Sequence, residues 1–316
     1  MASGGEERET HPLRREGSTC RICGGTLVPA LGDVVDALTR ERFGIDRCSQ
    51  CGVGQTTPFP ADLQPYYASY HGDRHGLTDA YRMLKRLWLV QRFASGANGN
   101  RLLDVGCGEG SFLRAAQKSG WQVSGTELKP DVPRAAGLDV RSEIDQFDPG
   151  EPFHCVTFWH SLEHLTDPRK TLAEAHERLA PGGVVVISVP DNAGWQARLY
   201  GRYWVHLDVP RHLFHFDRRS LARLLEMTGF QPVRQGHIEL EYDLLGWSQS
   251  TLNLIGPEAN LFFHSLTGKP VGVGRAVQAA HVGLGLLLTA AALPLVVLGT
   301  LSHRGGTLVV VARRGP

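Results

Sequence analysis

Apolar patterns of two periods alternate through the middle of the chain. Leu102, Leu103 and Val105 form a short apolar run that enters a Gly-rich turn, after which Phe112, Leu113 and Ala116 recur at helical spacing. Gln122 to Gly125 reads as the next strand, with Thr126 and Glu127 at its tip. Asp167-Pro168 is an N-cap followed by Pro at the first helical position, opening a helix with Leu172, Ala175 and Leu179 on one face. Pro181-Gly182-Gly183 stops that helix, and Val184 to Val189 suits a strand covered on both faces. Asp217 caps a further helix, with Phe216 and Leu221 placed as a hydrophobic staple and Gly229 just past the end. Gly306 to Val311 reads as a last strand. Strands alternating with helices predict an α/β fold built on a doubly wound, mostly parallel sheet. Ahead of it, from Asp79, Leu84, Leu87, Trp88 and Gln91 share one helical face, with Lys85, Arg86 and Arg92 outside it. That helix is expected to cover the sheet with its leucines.

Composition narrows the class. The 316 residues are 42% apolar and 21% charged, enough for a sizeable core, and a net charge of +1 argues against a broad nucleic-acid-binding surface. Residues 1–18 read as a solvated, disordered tail with no apolar stretch of the secretory kind, so the expected address is the cytoplasm. Within this balanced chain, residues 276–303 contain no Asp, Glu, Lys or Arg.

Cys20-x-x-Cys23-Gly24 and Cys48-x-x-Cys51-Gly52 are two knuckles, each with a spacer that lets both thiolates face one ion. Together they complete a tetrahedral Cys₄ set and imply structural Zn²⁺, the alternative being disulfides or free thiols. Leu27-Val28 and Val34-Val35 suggest the short strands of a zinc ribbon over residues 19–57. Such a module is too small to fold well without its metal.

The Gly-rich turn carries Gly106, Gly108 and Gly110 in G-x-G-x-G spacing, with Ser at 111, so the dinucleotide fingerprint is not met. A ligand loop after the first strand and a carboxylate, Glu127, at the tip of the second suit a ribose-bearing cofactor. Leu103-Asp104-Val105-Gly106-Cys107-Gly108-Glu109-Gly110 resembles motif I of the class I S-adenosylmethionine-dependent methyltransferases, and Glu127 matches their ribose-binding acid. The likeness continues through residues 156–168, 179–183 and 203–216, and the group it resembles most is the bacterial small-molecule methyltransferases, several of which carry a zinc ribbon. The resemblance implies a Rossmann-like seven-stranded sheet, six strands parallel and the last antiparallel. It implies S-adenosylmethionine held by Asp104, Gly106, Cys107, Gly108, Gly110, Glu127 and Trp159. Where the family's fourth strand starts with an acid, this chain has His154-Cys155.

Methyl transfer is an in-line displacement, helped by a base where the acceptor must lose a proton. His160, His164 and His212 are the catalytic candidates. His160, Glu163 and His164 would share a face if helical, and H-x-x-E-H also spells an inverted zincin motif, a poor fit at the end of a methyltransferase strand. Related quinone-pathway O-methyltransferases bind a divalent cation through acidic-x-x-Glu-His, and here His160 replaces the first acid. The plainer alternative has Trp159 and His160 lining the cofactor pocket while Glu163 and His164 make structural hydrogen bonds. His206, Asp208, Arg211, His212 and His215 form a second polar group. Trp195, Tyr200, Tyr203 and Trp204 are expected to form a lid over it, with Tyr67 and Tyr70 closing from elsewhere.

Val282 to Leu301 is long enough to span a bilayer, yet the strand after it must return to the sheet. Two readings follow: a helical hairpin or shallow anchor broken at Pro294, with Lys269, Arg275 and Arg304 on the inner face of the membrane, or a buried helix pair or dimer contact. The expected organisation is a connector and covering helix at 58–95, a methyltransferase core at 96–240, an apolar helical insertion at 241–304 and a final core strand and tail at 305–316. The expected acceptor is a small molecule, lipid- or sugar-linked. An RNA methyltransferase and a non-catalytic methyltransferase-like scaffold are the rival readings, the former weakened by neutral charge and the missing Asn/Asp-Pro-Pro-Tyr tetrad.

Overall fold

A computed structural model describes residues 18–67, 79–94, 99–237, 239–269 and 271–315. The charged segment before residue 18 and Tyr70 lie outside them. The first strands are β1 (Leu27–Val35), β2 (Arg42–Cys48) and β3 (Gly54–Thr57), followed by the helices α1 (Gln64–Tyr67) and α2 (Asp79–Ala94). Next come β4 (Arg101–Val105), α3 (Ser111–Lys118), β5 (Gln122–Thr126), α4 (Asp131–Ala135), β6 (Asp139–Arg141) and β7 (Phe153–Trp159). They are followed by α5 (Pro168–Arg178), β8 (Leu179–Pro190), α6 (Trp195–Tyr200), β9 (Phe214–His215), α7 (Arg218–Met227) and β10 (Phe230–Gly236). The last elements are α8 (Leu240–Ile255), α9 (Leu261–Leu266), α10 (Arg275–Ala291), α11 (Leu293–Leu301) and β11 (Thr307–Arg314).

The larger sheet has seven strands in the order β10-β11-β8-β7-β4-β5-β6. β4, β5, β6, β7 and β8 pair in parallel, while β11 runs antiparallel between β8 and β10. This is the doubly wound sheet with one reversed strand. Side-chain alternation sorts its core into two layers. Leu103, Val185, Ile187 and Val310 face α5, α7 and the ribbon's Ile22, Leu27 and Val53. Leu102, Val184, Val186 and Val309 face Leu89 and Val90 of α2 and Phe112 and Leu113 of α3.

Local signals produce the helix starts. Asp167 accepts a hydrogen bond from the Lys170 amide with Pro168 in the first turn, and Asp217 forms a capping box with Ser220. Two local patterns resolve otherwise. The helix after Asp167 ends at Arg178, and buried Leu179 opens β8 instead of closing the helix. On α2 the buried residues are Lys85, Arg86, Leu89, Val90 and Ala94, while Leu84 and Trp88 face solvent. The helix is rotated because its two cations have buried partners: Lys85 Nζ lies 2.6 Å from Glu239, and the Arg86 guanidinium lies 4.7 Å over the Trp159 ring.

The smaller sheet has the order β1-β2-β3-β9, all antiparallel, so its fourth strand comes from the segment that otherwise builds the larger sheet and its helices. Buried Asp36 accepts from Arg211 at 2.6 Å, Arg47 meets Asp217 at 2.5 Å, and Arg169 donates to the Ile22 carbonyl. α8 to α11 form a helical layer beside this body. α10 and α11 are not a hairpin but a helix bent by 41° at Ala292, and no single helix among the described residues is long and apolar enough to cross a membrane.

Candidate functional site

At the carboxyl end of β4 the chain turns through Gly106 and Gly108, at φ 74° and 55°. A Cβ on Gly106 would stand 2.6 Å from Cβ of Ser161, so only glycine lets the loop pass this close to the end of β7. A Cβ on Gly108 would meet no protein atom within 4 Å, because that side of the loop faces a cavity of about 580 Å³. The amides of Gly106 and Cys107 donate to the Thr126 carbonyl, and the Gly108 amide donates to Glu127 Oε2 at 2.9 Å. Glu127 Oε1 takes the Leu128 amide at 2.9 Å. The carboxylate is thereby fixed beside the open loop with lone pairs toward solvent.

Asp104 and Cys107 sit under this loop and do not line the cavity. Asp104 is buried and accepts from Thr157 Oγ1 at 2.6 Å, and burial pushes its carboxyl up to about 7. Cys107 is buried too, its thiol pushed up by desolvation. Gly110 packs against Leu138. Trp159 does line the cavity, edge-on to Phe112, and its buried Nε1 has no hydrogen-bond partner among the described residues.

β7 ends at Trp159, and His160 takes φ 54°, so residues 160–164 are a strand end and a 3₁₀ turn rather than the helix the zincin spelling needs. His160 stacks on Tyr242 with ring centroids 3.9 Å apart, and its Nε2 lies 3.2 Å from Ser188 Oγ. Ser188 continues to Glu239 and thence to Lys85. Glu163 accepts the Leu213 amide at its backbone carbonyl, at 2.8 Å, but its carboxyl stands apart. The residue is 1% exposed, both carboxyl oxygens are buried without a hydrogen-bond partner among the described residues, and burial pushes its pKa up to about 8. His160 Nδ1 lies 3.5 Å from Glu163 Oε1 and His212 Nε2 lies 3.9 Å from it.

Nδ1 of His164 lies 3.0 Å from the Arg211 carbonyl and 2.8 Å from the Tyr67 hydroxyl, and Nδ1 of His212 lies 2.9 Å from the His206 carbonyl. A carbonyl only accepts, so each Nδ1 carries a proton, and in a neutral ring the lone pair is then on Nε2. Burial and the neighbouring His164 hold the His212 pKa well below that of an ordinary histidine, keeping it neutral. Glu163, His164 and His212 thus offer one carboxylate oxygen and two imidazole nitrogens within 4.8 Å of one another. Asp208 is half-buried on the same wall; desolvation would raise its pKa, but Arg211 beside it at 2.7 Å outweighs this and holds it well below the usual carboxylate range.

The second polar group divides. His206, Asp208 and His212 line the cavity, whereas Arg211 is buried behind them and His215 hydrogen-bonds Thr56 in the ribbon's sheet. The aromatic lid is corrected: Trp204 is buried with Nε1 on Gln196, Tyr200 packs on Trp247, and none of the four aromatics lines the cavity. Tyr200 seats α6 against α8, Trp204 packs with Val34, Phe43 and Ile45 of the smaller sheet, and Trp195 and Tyr203 are exposed. The cavity wall comes from residues that local patterning does not single out, Arg86 of α2, Tyr242 and Leu245 of α8, and Phe263 of α9.

Away from the cavity, Cys20 and Cys51 sulfurs are 3.7 Å apart and those of Cys23 and Cys48 are 3.4 Å apart, with no disulfide among them. A tetrahedral ion with bonds of about 2.3 Å sets sulfur–sulfur separations near roughly 3.8 Å. The four thiols fit such an ion.

Residues 79–235 match the model of a methyltransferase-domain family. The ubiquinone biosynthesis O-methyltransferase of Pectobacterium atrosepticum is 28% identical over 177 residues, 51% of this chain and 73% of that protein. The protein of the same name from Cronobacter sakazakii is 28% identical over 205 residues, 59% of this chain and 82% of that one. Among solved structures, the 1,6-didemethyltoxoflavin-N1-methyltransferase of Burkholderia thailandensis is 17% identical with a TM-score of 0.48, covering 91% of this chain and 100% of that one. The chain belongs to the S-adenosylmethionine-dependent methyltransferases.

Proposed function

We propose that this enzyme methylates a hydroxyl group of an apolar small molecule, such as a lipid-linked aromatic. The observation that carries the reading is one cavity with Gly108 and Glu109 of the glycine loop on one side and His160, His164 and His212 on the other, Glu127 held just beyond the loop by the Gly108 amide and Glu163 buried behind the histidines. Relatives named as ubiquinone biosynthesis O-methyltransferases support a hydroxyl acceptor, and Met83, Leu245 and Phe263 supply an apolar wall for it.

S-adenosylmethionine, when bound, supplies a methyl group on a sulfonium and so an intrinsically good leaving group. Glu127 would hold its ribose hydroxyls, the bare backbone at Gly108 would admit its close approach while Gly106 and Gly110 let the loop pack on Ser161 and Leu138, and Nε1 of Trp159 would donate to it. Asp104 and Cys107 serve from beneath, shaping the loop. His160 receives the acceptor proton, its ring fixed by Tyr242 and Ser188. The orphaned Glu163 carboxyl with the His164 and His212 imidazoles suits a divalent cation, which would lower the pKa of an acceptor hydroxyl. Cys20, Cys23, Cys48 and Cys51 would hold structural Zn²⁺.

Calorimetry with S-adenosylmethionine tests the cofactor half. Wild type should bind, and Glu127→Ala should bind about tenfold or more weakly. Methyl-donor turnover with hydroxylated aromatics, with and without an apolar tail, tests the acceptor half. Absent donor binding would overturn the whole reading, whereas turnover of RNA in place of these acceptors would overturn the acceptor.

A further inference from the structure

α10 and α11 bury only a narrow stripe of their surface. His281, Gly285, Ala292, Val296 and Gly299 face the body, and Gly285 lets α10 close directly on the Phe262 ring of α9. The remaining circumference is solvent-facing, where a helix on a water-exposed surface would carry polar and charged residues. Here no exposed position from Ala276 to Leu301 is charged, and the outward residues include Leu286, Leu287, Leu298 and Leu301, the second and last 69% and 73% exposed. A contiguous apolar strip of this kind marks a contact surface.

The charges around the strip select its partner. After Glu258 the chain has no Asp or Glu, while Lys269, Arg275, Arg304, Arg313 and Arg314 are all cationic. Arg275 and Arg304 stand exposed at the two ends of the bent helix pair. Two copies meeting through this face would bring cationic ends together with no acid on the segment to pair them, whereas anionic headgroups complement both ends. Spanning is excluded by connectivity: α9 packs beneath α10 on one side, and β11 lies inside the sheet on the other. We propose that α10 and α11 lie flat in the headgroup region of an anionic lipid bilayer, leucines inward and Arg275 and Arg304 at the phosphates. Amphipathic elements seated in this way bury their apolar face roughly 5–10 Å deep.

Flotation of the full chain with vesicles tests this, comparing phosphatidylglycerol–phosphatidylethanolamine mixtures with pure phosphatidylcholine. Wild type should float with the anionic vesicles, less with the neutral ones, and less again as ionic strength rises from about 0.1 M to about 1 M. Leu287→Glu with Leu298→Glu should lower the bound fraction about tenfold, and Arg275→Glu with Arg304→Glu should remove the preference for anionic lipid. All four positions face solvent, and a thermal melt like that of wild type would show the variants folded. A wild type that stays with the soluble fraction overturns the proposal. So does one that dimerises through this face without floating, or one whose binding the leucine variant leaves unchanged.

Discussion

Gly108 takes φ 55° and faces the cavity, so its two roles can be separated. Gly108→Ala adds a left-handed strain of about 1–2 kcal/mol but meets no protein atom. Melting should fall slightly while affinity for S-adenosylmethionine falls about tenfold or more; unchanged affinity by calorimetry would show that the loop does not approach the cofactor. Asp104 offers a different kind of test. Its carboxyl stands at about 7 when folded, because of burial, against about 3.9 in an unfolded chain. The folded state holds the proton more tightly, so the associated stability is complete below about pH 4 and lost as the pH rises through about 7. Asp104→Asn keeps an acceptor oxygen for Thr157 and removes the titration. Its melting temperature should therefore decline less than that of wild type between about pH 5 and about pH 8. Equal declines would mean that Asp104 is ionised in the fold throughout.

Among the elements, those with local signals were legible in the chain. Asp167-Pro168 and Asp217 with Ser220 start helices through hydrogen bonds that reach no more than three residues, so the sequence around them contains the whole instruction. α2 was misread for the opposite reason. Treating lysine and arginine as outward-facing is sound until a distant element supplies a buried counterpart, and Glu239 lies far along the chain from Lys85. The energies differ accordingly. Lys85→Met leaves Glu239 buried without its cation and should cost on the order of 3 kcal/mol. Leu84→Ser, at a position 68% exposed, should stay within about 0.5 kcal/mol of wild type. Denaturant midpoints check the pair, and a reversed order would restore the leucine face. The site was legible in the same uneven way. His160, Glu163 and His164 are near neighbours in sequence, while His212 joins them only through the fold, and Tyr242 and Phe263 arrive on helices whose apolar pattern says nothing of a cavity.

For the molecule as a whole, the ribbon with its four-cysteine cluster is part of the foundation under the His212 side of the cavity. β3 pairs with β9, Thr56 Oγ1 donates to the His212 carbonyl at 2.6 Å, and Asp36 anchors Arg211, which in turn holds Asp208. Glu127 and the Gly108 amide are instead tied to each other, and Gly106 and Cys107 to Thr126 of β5. Removing Zn²⁺ with a chelator should therefore raise KM for the acceptor by about tenfold while changing the Kd for S-adenosylmethionine much less. Equal losses on both sides would indicate general unfolding. The pairing of β3 with β9 also imposes an order in time. β3 ends at Thr57 and its partner begins at Phe214, so during synthesis at about 5–20 residues per second the edge of β3 waits roughly 10–30 s. An unpaired edge is a template for association with other chains. A nascent ribbon already closed around its ion would keep that edge short and fixed, whereas one without it would leave a loose strand for neighbouring ribosomes' products to join. Soluble yield should thus depend on zinc supplied while the chain is being made, and zinc added after synthesis should recover little of what was lost.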